Sequence, residues 1–296
     1  MFKRTKLLRH SLLLAALTTL SACQGLEGIQ VQGVDLGKLA SAGQHLTNMG
    51  QKSADEELVI GRNTASILLQ KASLLNNPAL QAYVNRVGLW VAQHSERPDL
   101  DWRFAVLDSP QVAAYAAPAG YIFITSGMLG RMQSEAELAG VLAHEVAHVV
   151  QQHHLKAIQQ QAQTGLLTDL ATLAVQAGAA KEGGSDNTAL TDKFTRSVGD
   201  LYARGLDRGD EYEADAMGAV IATRAGYDPY GLAGVLQTLG TMRQDDSALT
   251  GFLKVHPNIG DRLQRLEPVY QHIDAHASGP SQSLDTRYRQ ALGMNP

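Results

Sequence analysis

The sequence predicts an α+β domain that is mainly helical, with a small β-sheet. Three observations carry that expectation. Two Ser-x-x-Glu capping boxes, Ser53 to Glu56 and Ser134 to Glu137, each open a run of helical periodicity. Only two short segments, Trp102 to Asp108 and Tyr121 to Thr125, have the β-branched and aromatic composition of strands. The stretch Leu138 to Val150, LAGVLAHEVAHVV, is apolar except for His144, Glu145 and His148, so it predicts a helix buried inside the protein.

Taken in chain order, Met1 to Ala22 carries Lys3, Arg4, Lys6 and Arg9, an apolar run from Leu12 to Leu20, and then Leu20-Ser21-Ala22-Cys23. This resembles a bacterial lipoprotein signal peptide, in which the cysteine is acylated and becomes the mature N-terminus. The apolar run is too short for a membrane span. Cys23 is the chain's single cysteine. That argues against an intrachain disulfide, a thiolate metal site or a cysteine nucleophile. Gln24 follows it, with no Asp to hold the protein at the inner membrane, so the expected address is the periplasmic face of the outer membrane.

Residues 24–52 are rich in Gly, Gln and Ser and predict a tether. Ser53 then opens a helix to about Leu75, and Asn77-Pro78 caps the next, to about His94. Ser134 starts the apolar helix. The stretch VVQQHHLKAIQQQAQ continues its periodicity, which makes His153 and His154 exposed helix-surface residues. Residues 179–190 predict a flexible insert before a second helix at Arg208. The domain is expected to span residues 53–277, and the polar segment 278–296 to be a loosely ordered tail.

His144, Glu145 and His148 spell H-E-x-x-H. Ionisable groups in an apolar helix are costly unless paired or bound to a metal. Two histidines four apart share a face and reach one tetrahedral Zn2+. Glu145 sits at the edge of that face, placed to take a proton from an attacking water as general base. A hydrolytic zinc site needs a third protein ligand and an open fourth position. His154 has the metzincin spacing, but Gln151 stands where that pattern turns at Gly, and a continuing helix points His154 away. Glu211, in RGDEYEADAMG, is the stronger candidate. Asp215 shares its face as an acceptor for a ligand histidine's ring N–H, and Ala214, Gly218 and Ala222 are small enough for close approach to the first helix, where Gly140 offers matching space. Glu213 faces the other way, as part of a solvated acidic face.

The combination HEVAH with R-x-x-E-x-x-A-D resembles peptidase family M48, the gluzincin group of zinc peptidases, and most of all its periplasmic lipoprotein members of the BepA and LoiP type. The likeness runs from about Asp55 to Leu266. It includes YVNRVG at Tyr83 to Gly88, AAYAAPAGYIFITSGML from Ala113 to Leu129, and His256-Pro257 to Arg262-Leu263, similar to the family's H-P-x-x-x-x-R-I. Ala113 and Ala119 depart from the family, which has Asn and Gly there. The resemblance implies a gluzincin-type domain with its small sheet beside the H-E-x-x-H helix and one Zn2+ on His144, His148 and Glu211. Arg208, Asp215 and His256 would be supporting or regulatory residues. It also implies polypeptide substrates, namely misfolded or stalled envelope proteins, paired along an edge strand at Ala113 to Ala117. An isolated loop histidine is ordinarily a solvated surface residue. The resemblance instead lets His256 approach the zinc, as a switch or an oxyanion stabiliser.

Without the four basic residues of the leader, 21 basic face 29 acidic residues, a formal charge of −8. A mildly acidic chain has no electrostatic footprint for nucleic acid or anionic lipid, so the expected membrane contact is the lipid at Cys23. The expected function is that of a zinc endopeptidase in envelope quality control. The rival expectation is a lipoprotein chaperone or outer-membrane assembly factor whose zinc is structural.

Overall fold

The computed structural model describes residues 51–161, 188–243, 246–256, 258–274 and 283–293, together with a two-residue strand pair at 30–31 and 34–35. The expected leader, Cys23 and most of the insert at 179–190 lie outside the described residues. No helix among the described residues is long and apolar enough to cross a membrane.

Strands β1 (Gln30–Val31) and β2 (Val34–Asp35) pair antiparallel. Helix α1 (Gln51–Lys71) begins before Ser53 and ends before Leu75, so the Ser53 box lies inside its first turn and does not open it. Helix α2 (Pro78–Ala92) starts as the sequence predicts: the Asn77 side chain accepts from Leu80 N, and Pro78, which lacks an N–H, takes the first position. The strands β3 (Arg103–Leu107), β4 (Ala114–Ala117) and β5 (Tyr121–Thr125) form one sheet in the order β3-β5-β4, with β3 parallel and β4 antiparallel to β5. The expected edge strand is therefore at an edge. One of its carbonyls is already engaged, since the Tyr202 hydroxyl donates to Ala116 O at 2.6 Å.

The turn between β4 and β5 shows what the departure at Ala119 costs. Ala119 (φ 62°) and Gly120 (φ 88°) both sit in the left-handed region, where a Cβ is disfavoured by about 1–2 kcal/mol. Glu57, buried in α1, holds the turn by accepting from Ala119 N at 3.0 Å while pairing bidentately with Arg97 at 2.9 Å. Gly61 lets α1 approach this closely, because a Cβ there would lie 2.1 Å from Pro118 O.

After the short helix α3 (Ser126–Leu129), the apolar helix α4 (Glu135–Val150) starts at Ser134, whose hydroxyl accepts from Glu137 N. It is buried from Leu138 to Val150. Helix α4 ends two residues before a break: Gln152 has φ 58°, and α5 (His153–Gln161) follows it. The continuous helix expected here is thus two helices. Glutamine is a good helix former, so nothing local marks the break. Gln152 is held by its own bond to Glu57 Oε2 at 3.3 Å.

Helices α6 (Thr188–Arg204), α7 (Arg208–Arg224), α8 (Gly231–Thr241), α9 (Ser247–Val255) and α10 (Ile259–Asp274) complete the body around α4. The main packing is α4 on α7, and small residues allow it. A Cβ on Gly218 would come within 2.9 Å of His144 N. Gly140 serves a different neighbour from the one expected. A Cβ there would meet Leu232 N, at the start of α8, at 2.5 Å, so Gly140 makes room for α8 rather than α7.

The expected loose tail contains helix α11 (Ser283–Ala291), packed on the body. Tyr288 is 1% exposed and its hydroxyl donates to Leu129 O at 2.6 Å. Arg287 Nε donates to Glu135 Oε2 at 2.7 Å, at the first turn of α4, where Tyr83 and Tyr227 also donate to the buried carboxylate. Polar composition hid this docking, because each anchor's partner is more than a hundred residues away.

Candidate metal centre

Helices α4 and α7 bring His144, His148 and Glu211 together, as the sequence predicts, and the end of α9 adds His256. All four are buried. The Nε2 atoms of His144 and His148 are 3.1 Å apart. Glu211 Oε1 lies 3.5 Å from His148 Nε2, and Oε2 lies 3.8 Å from His144 Nε2. Zinc with ligands at about 2.0–2.1 Å needs tetrahedral edges of about 3.3 Å, which these separations bracket. Glu211 Oε1 is also a buried carboxylate oxygen with no hydrogen-bond partner, a costly arrangement that a cation relieves. The residues present fit a zinc ion.

Each histidine's outward nitrogen faces a polar group. His144 Nδ1 lies 2.9 Å from Asp215 Oδ1, as expected of Asp215. His148 Nδ1 lies 2.9 Å from His153 Nδ1. Burial, reinforced by the imidazoles of His144, His153, His154 and His256, pushes the His148 ring well below the usual histidine range, which favours the neutral form that binds metal. Burial pushes Glu211 up, but His256, Arg262 and His144 outweigh it and bring its carboxyl down to about 2. Glu145 is 2% exposed, and burial raises its carboxyl above the ordinary range. It lines, with His144, His256 and Arg262, a small cavity whose other walls are apolar: Ala114, Met128, Val141, Leu232, Val235, Leu236 and Phe252.

Several expected placements are corrected. His153 is 3% exposed, not on the surface, because the break at Gln152 turns it back against His148. His154 is not exposed either. It stacks on Tyr202 at 4.8 Å, and burial drives its ring down to about 3. It stands outside the candidate ligand group, as expected, although the helix break and not a continuing helix puts it there. Glu213 is not simply solvated, since its carboxylate lies 3.5 Å from His153 Nε2. Arg208 is exposed at the start of α7. His256 is 6% exposed, which excludes a surface residue, and its Nδ1 lies 2.6 Å from Glu211 Oε2. Burial lowers its ring, but the Glu211 and Glu145 carboxylates reverse that and raise it.

Besides His153, sequence reasoning missed Arg262. It is 1% exposed, donates bidentately to Asp215 at 2.8 and 2.6 Å, and comes within 3.8 Å of Glu211 Oε2. The fixed spacing of His256 and Arg262 in the H-P-x-x-x-x-R segment was the available signal.

A buried helix bearing H-E-x-x-H, crossed by a helix that supplies a carboxylate, defines a metallopeptidase of the gluzincin type. Residues 78–269 match Peptidase family M48, and the chain belongs to that family. It is 27% identical to the beta-barrel assembly-enhancing protease of Yersinia pestis, over 97% of this chain and 57% of that protein. It is 26% identical to the protein of the same name from Escherichia coli K12, over 71% of this chain and 43% of that protein. The mitochondrial metalloendopeptidase OMA1 of Arabidopsis thaliana is 29% identical, over 64% of this chain and 37% of that protein. The chain thus spans about half the length of the curated relatives it matches.

Proposed function

We propose that this chain is a zinc endopeptidase acting on cell-envelope proteins, with His144, His148 and Glu211 as metal ligands and Glu145 as the catalytic base. The observation that carries the reading is the convergence of two buried imidazole nitrogens and a buried carboxylate, beside a second buried carboxylate that lines a cavity. Zinc bound there supplies Lewis acidity at the scissile carbonyl. Glu145 accepts the attacking water's proton on its carboxylate and returns it to the leaving amine. Asp215 and Arg262 hold the His144 ring in place. An extended substrate adding to β4 would displace the Tyr202 hydroxyl from Ala116. The names of the relatives from Yersinia and Escherichia support an envelope substrate.

The test is metal-dependent cleavage of an unfolded polypeptide by the purified chain, lost on chelation and restored by zinc. Glu211→Ala is expected to drop bound zinc well below one ion per chain, while His154→Ala leaves it at one, as measured by atomic absorption. The opposite pattern would move the third ligand to His154. For the address, Cys23→Ala is expected to abolish labelling by a palmitate analogue and recovery with membranes. Labelling that persists in the variant would remove the lipid anchor from this reading.

A second reading is supported by His256, which adds a fourth candidate ligand, and a zinc with all four positions filled by protein is structural. In the first reading His256 closes the site at rest and must leave for catalysis, so His256→Ala is expected to raise basal proteolysis several-fold. If the zinc is structural, the same variant loses zinc and melts earlier, and no activity appears. A fall in turnover with zinc retained would instead make His256 an oxyanion stabiliser.

A further inference from the structure

His153 was expected on a surface and lies instead in the protein interior, between the candidate metal group and two carboxylates of α7. Its Nδ1 is 2.9 Å from His148 Nδ1. Its Nε2 has no hydrogen-bond partner and faces Glu213 Oε2 at 3.5 Å and Asp210 Oδ1 at 3.7 Å. Such a trio has the composition of a second cation site. Proton counting argues otherwise. Two imidazole nitrogens 2.9 Å apart share one hydrogen. If His148 binds metal through Nε2, its remaining hydrogen is on Nδ1, and it donates to His153 Nδ1. His153 then keeps its own hydrogen on Nε2, pointing at Glu213 and Asp210. A second cation on that Nε2 would require one of the two rings to lose its last proton.

We infer that His153 is a positioning residue that fixes the tautomer and orientation of His148, and that Glu213, with Asp210, fixes His153 in turn. The chain of contacts runs from the half-exposed carboxylates of α7 through two buried rings to the metal group. It depends on the break at Gln152, since in a continuous helix His153, five residues after His148, would not face it. This rests on the proposed role of His148 as a metal ligand. Metal-site partners of this kind are worth about 10- to 100-fold in metal affinity.

The test uses the full chain loaded with zinc and labelled with 15N at histidine. His148 is expected as the Nδ1–H tautomer and His153 as the Nε2–H tautomer. By chelator competition, His153→Phe is expected to weaken zinc binding about 10- to 100-fold at unchanged stoichiometry. The double variant Asp210→Asn, Glu213→Gln, at two partly exposed positions that keep the fold if His153→Phe does not, is expected to weaken it by a smaller factor and to blur the two-tautomer pattern. Unchanged affinity in both variants overturns the inference. So does a second zinc per chain that the double variant loses, since His153 Nε2 would then be a ligand. His148→Ala separates the two levels: undiminished zinc binding in that variant defeats the metal-site reading itself, whereas its loss alongside normal binding by His153→Phe defeats only the role of His153.

Discussion

Glu145→Gln is expected to reduce peptide hydrolysis by at least 10^2- to 10^4-fold, about the contribution of a positioned general base, with zinc still bound at one ion per chain. Glutamine keeps the size and polarity of the buried side chain but cannot accept the proton. Burial raises the carboxyl above the ordinary range, so removing its charge relieves a desolvation cost, and the loss belongs to chemistry and not to folding. Zinc content, melting temperature and turnover measured on the same preparation separate these. A variant that cuts at near the wild-type rate would remove Glu145 from the mechanism, and one that loses its zinc would make Glu145 part of the metal's support.

Arg262→Leu is expected to be the most destabilising single change near the site, by about 3–5 kcal/mol, because it leaves the Asp215 carboxylate buried without its cation. For a domain of this size that lowers the melting temperature by roughly 6–20 °C. Zinc affinity should fall with it, since Asp215 is the group that faces His144 Nδ1. Adding Asp215→Asn removes the orphan charge, so the double variant is expected to regain much of the stability and little of the metal affinity. Thermal melts paired with chelator titrations check both halves. An Arg262→Leu protein that melts like wild type would show that Asp215 is protonated or resolvated at little cost.

Much of the metal centre could be read in advance because its members are close in sequence or carried by a regular period. His144 and His148 lie one turn apart on a helix whose burial its own composition announces. Glu211 and Asp215 repeat that spacing in α7, and Gly218 permits the contact. The strands β3 and β5 and the Asn77 and Ser134 caps followed from equally local rules, while the edge strand β4 came from the family resemblance.

What escaped was fixed by partners distant in the chain. Gln152 breaks a helix that its composition would continue, because Glu57, 95 residues away, accepts from it, and that break carries His153 to His148. Arg262 became a site residue only when α10 packed on α7 and offered its guanidinium to Asp215. The tail helix became part of the body because Glu135 and Leu129 give Arg287 and Tyr288 their partners. By itself the sequence determined which helix is buried, which side chains on it can bind a metal and where the second helix must cross. Only the tertiary structure decided which polar groups complete that centre. A buried polar atom is costly unless paired, and the pairing partner is chosen by proximity in space, which no local pattern encodes.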